Sequence, residues 1–474
     1  VFLVLAGLGV SFVPQVPDVI LRPDVVFFVF LPPLLYSAAF FTTPRDLRRN
    51  WLPISLLAVG LVLATLFAVA GAVAAGPVAL GWGAAFGLGA IVSPTDPVAA
   101  GGVLSRLGAP ERLRTILEGE SLVNDGVALV VYALAVAAAT GGGFSVTHGV
   151  FRFFEMAAGG IALGIALGYV VAKVRRHVDD IEQEIVISLV TPYVAYVGAE
   201  RAHLSGVLAT VATGVFLGWR SEGLFRPRTR LQANAFWEIL TFLLESVLFV
   251  LLGAQLPVVL RGLGDYPPWQ LAGWSLLVFA VVAGVRLAAH LAAPVSSWRQ
   301  RLVLGWSGMR GAITLAAALA LPLDFPRRDL VLFLAFTLVL GTLVAQGVSL
   351  PYLVRGLGLS TRAEATRREL DARMRMTEAA LARVEELAAG GEAGAATLGP
   401  LRQQYEGRLE RLCSRADGDR DRQLTGQYSH AVREAIAAQR SALRQLQQER
   451  RLDQDATRRL QRELDLEESR LGGR

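Results

Sequence analysis

Of the 474 residues one is a cysteine, Cys413. An intramolecular disulfide framework is therefore excluded, and the setting of Cys413 in a polar stretch suits a reducing cytoplasm. Charge is scarce as well: Asp, Glu, Lys and Arg make up 18% of the chain against 53% hydrophobic residues, and the mean hydropathy is +0.46. A soluble domain carries about 25% charged residues, so a water-soluble protein of this length is excluded. No HExxH, Walker-type phosphate loop, GxSxG or CxxC string occurs, which leaves enzymatic chemistry and ATP-driven pumping without their motifs. Neither an enzyme nor a resident cofactor is expected. His148, His203 and His290 stand near the ends of separate apolar runs and do not read as a metal set. The net charge of +6 could suggest nucleic acid. The basic residues, however, sit in short clusters between apolar runs or in a mixed-charge tail, which is a topology signal and not a phosphate footprint.

What is present is a series of apolar runs. About twenty such residues cross a bilayer at 1.5 Å per residue, and twelve spans read at about 1–13, 22–41, 51–75, 78–105, 115–139, 149–175, 183–199, 203–219, 235–257, 269–293, 301–321 and 329–355. The chain opens directly on VFLVLAGLGV with neither Met nor a basic leader, so the first span reads as truncated. Loops after even-numbered spans hold RDLRR (45–49), RLGAPERLR (106–114), KVRRH (173–177), RSEGLFRPRTR (220–230) and SWRQR (297–301). Loops after odd spans are nearly free of Lys and Arg, Arg201 and the Arg327–Arg328 pair excepted. Positive loops stay inside. The expectation is a multi-pass protein of the cell (inner) membrane, with residues 1–358 in the bilayer and both termini cytoplasmic. From about 359 to 474 the sequence turns rich in Arg, Glu, Gln, Ala and Leu, with Leu446, Leu452, Leu460 and Leu464 forming an irregular stripe. That tail reads either as a solvated helical appendage or as a regulatory or dimer-stabilising domain with a regulator of its own.

The fourth span carries SPTDPVAAGG (93–102). Pro94 and Pro97 cannot donate backbone hydrogen bonds, and a proline within a helix costs about 3 kcal/mol. A broken backbone at membrane depth is tolerated only where it lines a cavity or is buried in protein. Unwinding at SPTDP would free carbonyls such as that of Thr95 and bring two half-helix ends together, with Asp96 in the break. The eleventh span is interrupted likewise, at WSGMRGAITLAAAL, where Gly308 and Gly311 flank Arg310. Arg310 would set a fixed positive charge at the crossing and offset half-helix C-terminal ends. Spans 4 and 11 run oppositely, and such a pair points to an inverted-repeat transporter.

Ionisable side chains within spans mark ion or proton pathways: Asp96, Glu120, Asp125, Glu238, Glu245, Arg286 and Arg310. In EGESLVNDGVALVVY (118–132) the four-residue spacing puts Ser121 and Asp125 on one helix face and Glu120 and Asn124 on a neighbouring one. Ser121 and Asp125 can offer oxygens to a small hard cation. Glu120 and Asn124 can instead be held by a buried arginine, which needs a carboxylate partner. Arg286, in a span with no acid of its own and at comparable depth, is favoured for Glu120, with Arg310 the alternative. Glu245 reads as pairing with the remaining arginine or as stabilising a helix contact.

FLPPLLY (30–36), GAIVSPTDPVA (89–99), EGESLVNDG (118–126), VTPYVAY (190–196), FWE (236–238) and GMRGAITLAAALALP (308–322) together resemble the bacterial sodium/proton exchangers of the first cation/proton antiporter family. The resemblance covers residues 1 to 358 and implies an all-α antiporter fold with two crossing discontinuous helices, assembled as a homodimer. It implies that one N-terminal span is missing. It further implies that Asp125 binds either the cation or the proton, that Asp96, Thr95 and Ser121 complete a sodium site, and that Asn124 stands where electroneutral members have asparagine. Glu120 is held in that family by an arginine that matches Arg286. Two departures touch ion selectivity: Ser37 stands where many relatives have an acid, and Glu245 where many bacterial relatives have asparagine.

The function implied is antiport of Na+ or Li+ against H+, electroneutral at one for one, by alternating access. A K+/H+ exchanger on the same framework is the nearest rival; a cation channel and a membrane sensor are others.

Overall fold

A computed structural model describes residues 23–42, 51–140, 146–178, 180–224, 227–293, 297–359, 362–389, 395–417 and 434–443, with isolated positions at 3, 6, 7, 9, 460, 461 and 464. Most of the expected first span, the RDLRR cluster, the His148 side chain, Leu446 and Leu452 lie outside the described residues. The described backbone is helical throughout, without a strand. It divides into two compact units, Val1–Thr361 and Arg362–Arg474.

The first unit contains α1 (Pro23–Phe41), α2 (Trp51–Ala74), α3 (Trp82–Val92), α4 (Pro97–Arg106), α5 (Glu111–Thr140), α6 (Val146–Arg175) and α7 (Ile181–Arg201). It continues with α8 (Gly206–Leu224), α9 (Pro227–Gly262), α10 (Pro268–Ala292), α11 (Trp298–Trp306), α12 (Ala312–Leu319) and α13 (Arg328–Gly356). Each expected span from the second to the twelfth thus has helical counterparts, and the fourth and eleventh are each two short helices. Among the described residues five helices are long and apolar enough to cross a membrane unaided: α5, most of α6, most of α9, α10 and α13. Large apolar side chains such as Phe67, Phe151, Phe154 and Leu276 project from the outside of this unit. Such a surface suits acyl chains and not water.

The main core gathers α1, α2, α3, α10, α12 and α13 around Leu31, Leu35, Leu88, Leu315 and Phe336. A second cluster joins α4, α5, α11 and α13 through Leu104, Ile116, Leu304 and Leu350. Tyr36, Trp237 and Leu217 form a third. There the Trp237 Nε1–H donates to Ser188 Oγ at 2.9 Å, and the Tyr36 and Trp237 rings lie 5.2 Å apart. Two of the sequence's aromatic motifs, LPPLLY and FWE, are thereby explained as packing.

The second unit holds α14 (Arg362–Ala389) and α15 (Ala395–Asp417). They pack on each other and bury Val384, Leu398 and Leu412. Exposed pairs such as Arg383–Glu386 at 2.8 Å and Arg402–Glu406 at 2.7 Å decorate the surface. Of the leucine stripe, Leu460 is exposed and Leu464 half-buried, and neither belongs to that core.

Candidate functional site

The site is built where the two interrupted spans meet. α3 ends at Val92 because Pro94 and Pro97 remove the next donors, and α4 restarts with Pro97 at its first position, where the missing N–H costs nothing. Ser93 closes the end, its hydroxyl donating to Ala90 O at 2.9 Å. α11 ends at Trp306 and α12 restarts at Ala312. The two unwound stretches touch directly: the Asp96 N–H donates to Met309 O at 2.8 Å.

Arg310 is fully buried in this crossing. Its Nη1 donates to the carbonyls of Ser93 (2.6 Å) and Pro94, the acceptors left over at the C-terminal end of α3, and its own N–H donates to Thr342 Oγ1 at 3.1 Å. A guanidinium is suited to this task because it is planar, always charged and carries donors only. Asp96 immediately precedes α4 and lies against the start of α12: a methyl group added at Gly311 would collide with its carboxylate. Both helix starts present partial positive charge to it.

α5 brings the second half of the site alongside. Ser121 Oγ lies 2.6 Å from Thr95 O and 3.3 Å from Asp125 Oδ2. A hydroxyl has one hydrogen, and the shorter contact takes it. Ser121 Oγ therefore faces Asp125 with a lone pair, and the two oxygens need something electropositive between them. The other oxygen, Asp125 Oδ1, is buried without a hydrogen-bond partner among the described residues. Asn124 does not turn to an arginine, as its place beside Glu120 suggested; its Nδ2 donates to Thr95 Oγ1 at 3.1 Å. The unwinding at Thr95 is the reason, because it carries that side chain across α5 within reach of the amide. The amide thereby fixes the Thr95 side chain whose carbonyl enters the site.

Glu120 faces the opposite way, into a wholly buried ion cluster. Arg286 Nη1 donates to its Oε1, and His290 Nε2 lies 3.0 Å from its Oε2. Of the two candidate arginines, Arg286 is the one in contact. Gly308 makes the room, since a methyl there would strike the Arg286 side chain. His290 is the residue that sequence reasoning missed. It was set aside as an isolated histidine, yet it sits one turn beyond Arg286 on the same face of α10, and that i, i+4 spacing was the available signal. Its Nδ1 lies 3.0 Å from Arg286 O. A carbonyl only accepts, so in that contact the hydrogen is the imidazole's.

The family model described as sodium/hydrogen exchanger, transmembrane, matches residues 1–356. The chain belongs to the sodium/hydrogen exchanger family. It is 35% identical to an uncharacterized Na(+)/H(+) exchanger of Mycobacterium tuberculosis, over 99% of this chain and 91% of that protein. It is 32% identical to a sodium, potassium, lithium and rubidium/H(+) antiporter of Bacillus subtilis, over 73% of this chain and 56% of that one. In structure it resembles the sodium proton antiporter MjNhaP1 from Methanocaldococcus jannaschii at pH 8, with a TM-score of 0.60, 20% sequence identity and coverage of 75% of this chain and 91% of that one.

Asp96 and Asp125 of this exchanger are reached by a cavity of about 650 Å3. Its walls come from α1 (Ser37, Phe41), the unwound Pro94–Pro97 stretch, α5 (Arg114, Glu118, Ser121) and α9 (Glu238, Glu245), with Gly311–Thr314 closing the far side. Glu245 pairs with neither arginine. It stands half-buried in the cavity wall and forms no ion pair among the described residues, because Arg286 and Arg310 both point away into their own clusters. Glu238 lines the same cavity and is exposed.

Proposed function

We propose that this exchanger is a secondary antiporter moving Na+ or Li+ against H+, one for one and electroneutral, by alternating access, with cation and proton competing for Asp125. The observation that carries the reading is the pair of facing oxygens at Ser121 and Asp125, 3.3 Å apart, with the serine hydroxyl nearer, at 2.6 Å, to the Thr95 carbonyl, which only accepts. A proton on Asp125 Oδ2 fills that gap by donating to Ser121 Oγ. A monovalent cation fills the same gap by taking oxygens from Asp125, Ser121 and Thr95, with Asp96 across the cavity. One gap cannot hold both. Asn124 brings no second proton-carrying acid to this point, which favours exchange without net charge. Arg310 and the Glu120–Arg286–His290 cluster hold the crossing rigid, so that only the occupancy of Asp125 changes.

An ionised, empty carboxylate is costly to carry through a dry barrier. A loaded or protonated one is cheaper, and that difference couples the two fluxes without ATP. The cavity leaves Asp125 open toward the ends of α1, α4 and α5 that hold Thr42, Ser105 and Arg114. We assign that face to the cytoplasm from the arginine-rich loops, and residues 359–474 are read as a cytoplasmic tail; the membrane is the cell membrane and the assembly a homodimer, in keeping with the family. Potassium in place of sodium is the second reading, favoured by the potassium named in the Bacillus relative.

The test is coupled exchange in proteoliposomes under an imposed pH gradient, across lithium, sodium, potassium and rubidium. The expected result is sodium- or lithium-driven proton movement without current, abolished by Asp125→Asn. Retained exchange in that variant, or current without counter-transport, overturns the reading.

A further inference from the structure

The cavity follows one stripe of α5 through Arg114, Glu118 and Ser121 to Asp125 and ends there. At steps of three and four residues the same stripe continues through Leu129 to Tyr132, and that half of the helix is closed, with both side chains buried. Tyr132 stands two turns beyond Asp125, about 10.5 Å along the axis at 1.5 Å per residue. α1 repeats the pattern. Its Ser37 and Phe41 line the cavity, whereas Phe27 at the other end meets Tyr132 edge-on, ring centroids 5.7 Å apart. Phe30, Leu31 and Leu129 share the same apolar core. Asp125 is thus open on one side and sealed by a hydrocarbon plug on the other.

Within that plug the Tyr132 hydroxyl is an anomaly. It is buried and has no hydrogen-bond partner among the described residues. A polar group left so carries its full desolvation penalty, and phenylalanine would fill the space without it. Beyond the plug, Arg328 at the start of α13 and Tyr196 of α7 lie close enough to the phenol to interact with it electrostatically. Arg328 is itself engaged, its Nε donating to Leu321 O at 3.1 Å.

We propose that Tyr132 is the substrate-contacting gate residue of the closed side: when the opposite mouth opens, its hydroxyl hydrogen-bonds the hydrated monovalent cation on the way to Asp125. A phenolic hydroxyl both donates and accepts, so it can take part in the water shell or offer a lone pair to the ion. The group is unsatisfied in the state open toward Thr42 and Ser105 because its ligand arrives only in the other state. The inference rests on the alternating-access reading of Asp125 given above.

The test is Tyr132→Phe in proteoliposomes of fixed orientation, with sodium offered at either face. The KM for sodium at the face opposite the cavity rises about fivefold, the worth of one hydrogen bond to a neutral partner such as hydration water, while the KM at the cavity face and the melting temperature do not worsen. An unchanged KM at both faces, or an equal change at both, overturns the proposal. A second measurement uses Tyr132→Cys in a Cys413→Ser background, which removes the chain's one native thiol. A membrane-impermeant thiol reagent supplied from the face opposite the cavity modifies that position during turnover; protection under every condition overturns the proposal. Exchange surviving in Asp125→Asn would strike the underlying reading instead, and it registers in a separate assay.

Discussion

Replacing Glu120 with glutamine removes one charge from a cluster in which Glu120, Arg286 and His290 are exposed by no more than 2%. The perturbation is small in volume, so its cost is electrostatic. The Glu120 carboxylate accepts from Arg286 at one oxygen and meets His290 at the other. An amide in its place leaves the Arg286 guanidinium buried without a counter-charge, and breaking a buried pair on one side costs about 3–5 kcal/mol. Arg286→Met removes the opposite charge and keeps most of the side-chain volume, so it loses a similar amount. The double variant loses both charges together and escapes the penalty of an uncompensated ion. Its total is therefore smaller than the sum of the singles, by a coupling of about 1.5 kcal/mol or more within the range seen for contacting residues. Reversible unfolding in mixed micelles, read by circular dichroism, gives all three values. Additivity of the two single variants within about 0.5 kcal/mol would falsify the claim that this pair acts as a unit.

The histidine of the cluster separates from the arginine in a second series. His290→Gln supplies an amide that can donate to the Glu120 carboxylate, whereas His290→Leu leaves that oxygen buried and unsatisfied at about 1–3 kcal/mol; equal stability of the two variants in the same unfolding assay would remove His290 from the cluster's energetics. Gly311→Ala drives a methyl into the Asp96 carboxylate and displaces it from the crossing, so the KM for sodium rises at least tenfold while the protein still purifies as a folded species. An unchanged KM in that variant would show that Asp96 plays no part in holding the cation.

Much of the site was legible because each side chain announces itself through the cost of placing it in hydrocarbon. Pro94 and Pro97 force a break wherever they fall in a span, and Asp96, Glu120, Asp125 and Arg310 would not persist at that depth without partners. Helical spacing likewise put Ser121 beside Asp125. Asn124 was misplaced because two residues one turn apart can still send their side chains to different neighbours: Glu120 goes to α10, Asn124 to the unwound Thr95. The arginine alternative for Glu245 failed, and His290 was missed, for a related reason. Whether an intramembrane acid pairs or lines water, and whether a lone histidine is solitary, depends on which helix lies opposite, and local periodicity carries no record of that.

The sequence by itself determined the membrane class, the helical runs, the two interrupted spans and the list of acids and arginines that must be compensated, because these follow from hydropathy, backbone donors and charge counted along one strand of chain. The tertiary structure alone decided the rest of the pairing: Arg310 onto the carbonyls of Ser93 and Pro94, His290 onto Glu120 beside Arg286, Asn124 and Ser121 onto Thr95. It decided as well that α5 is open on one side of Asp125 and sealed at Tyr132 on the other. Contacts between residues 26 to 217 positions apart are fixed by how helices pack in three dimensions, where shape and charge complementarity of whole faces, and not the spacing within any one of them, select the partner.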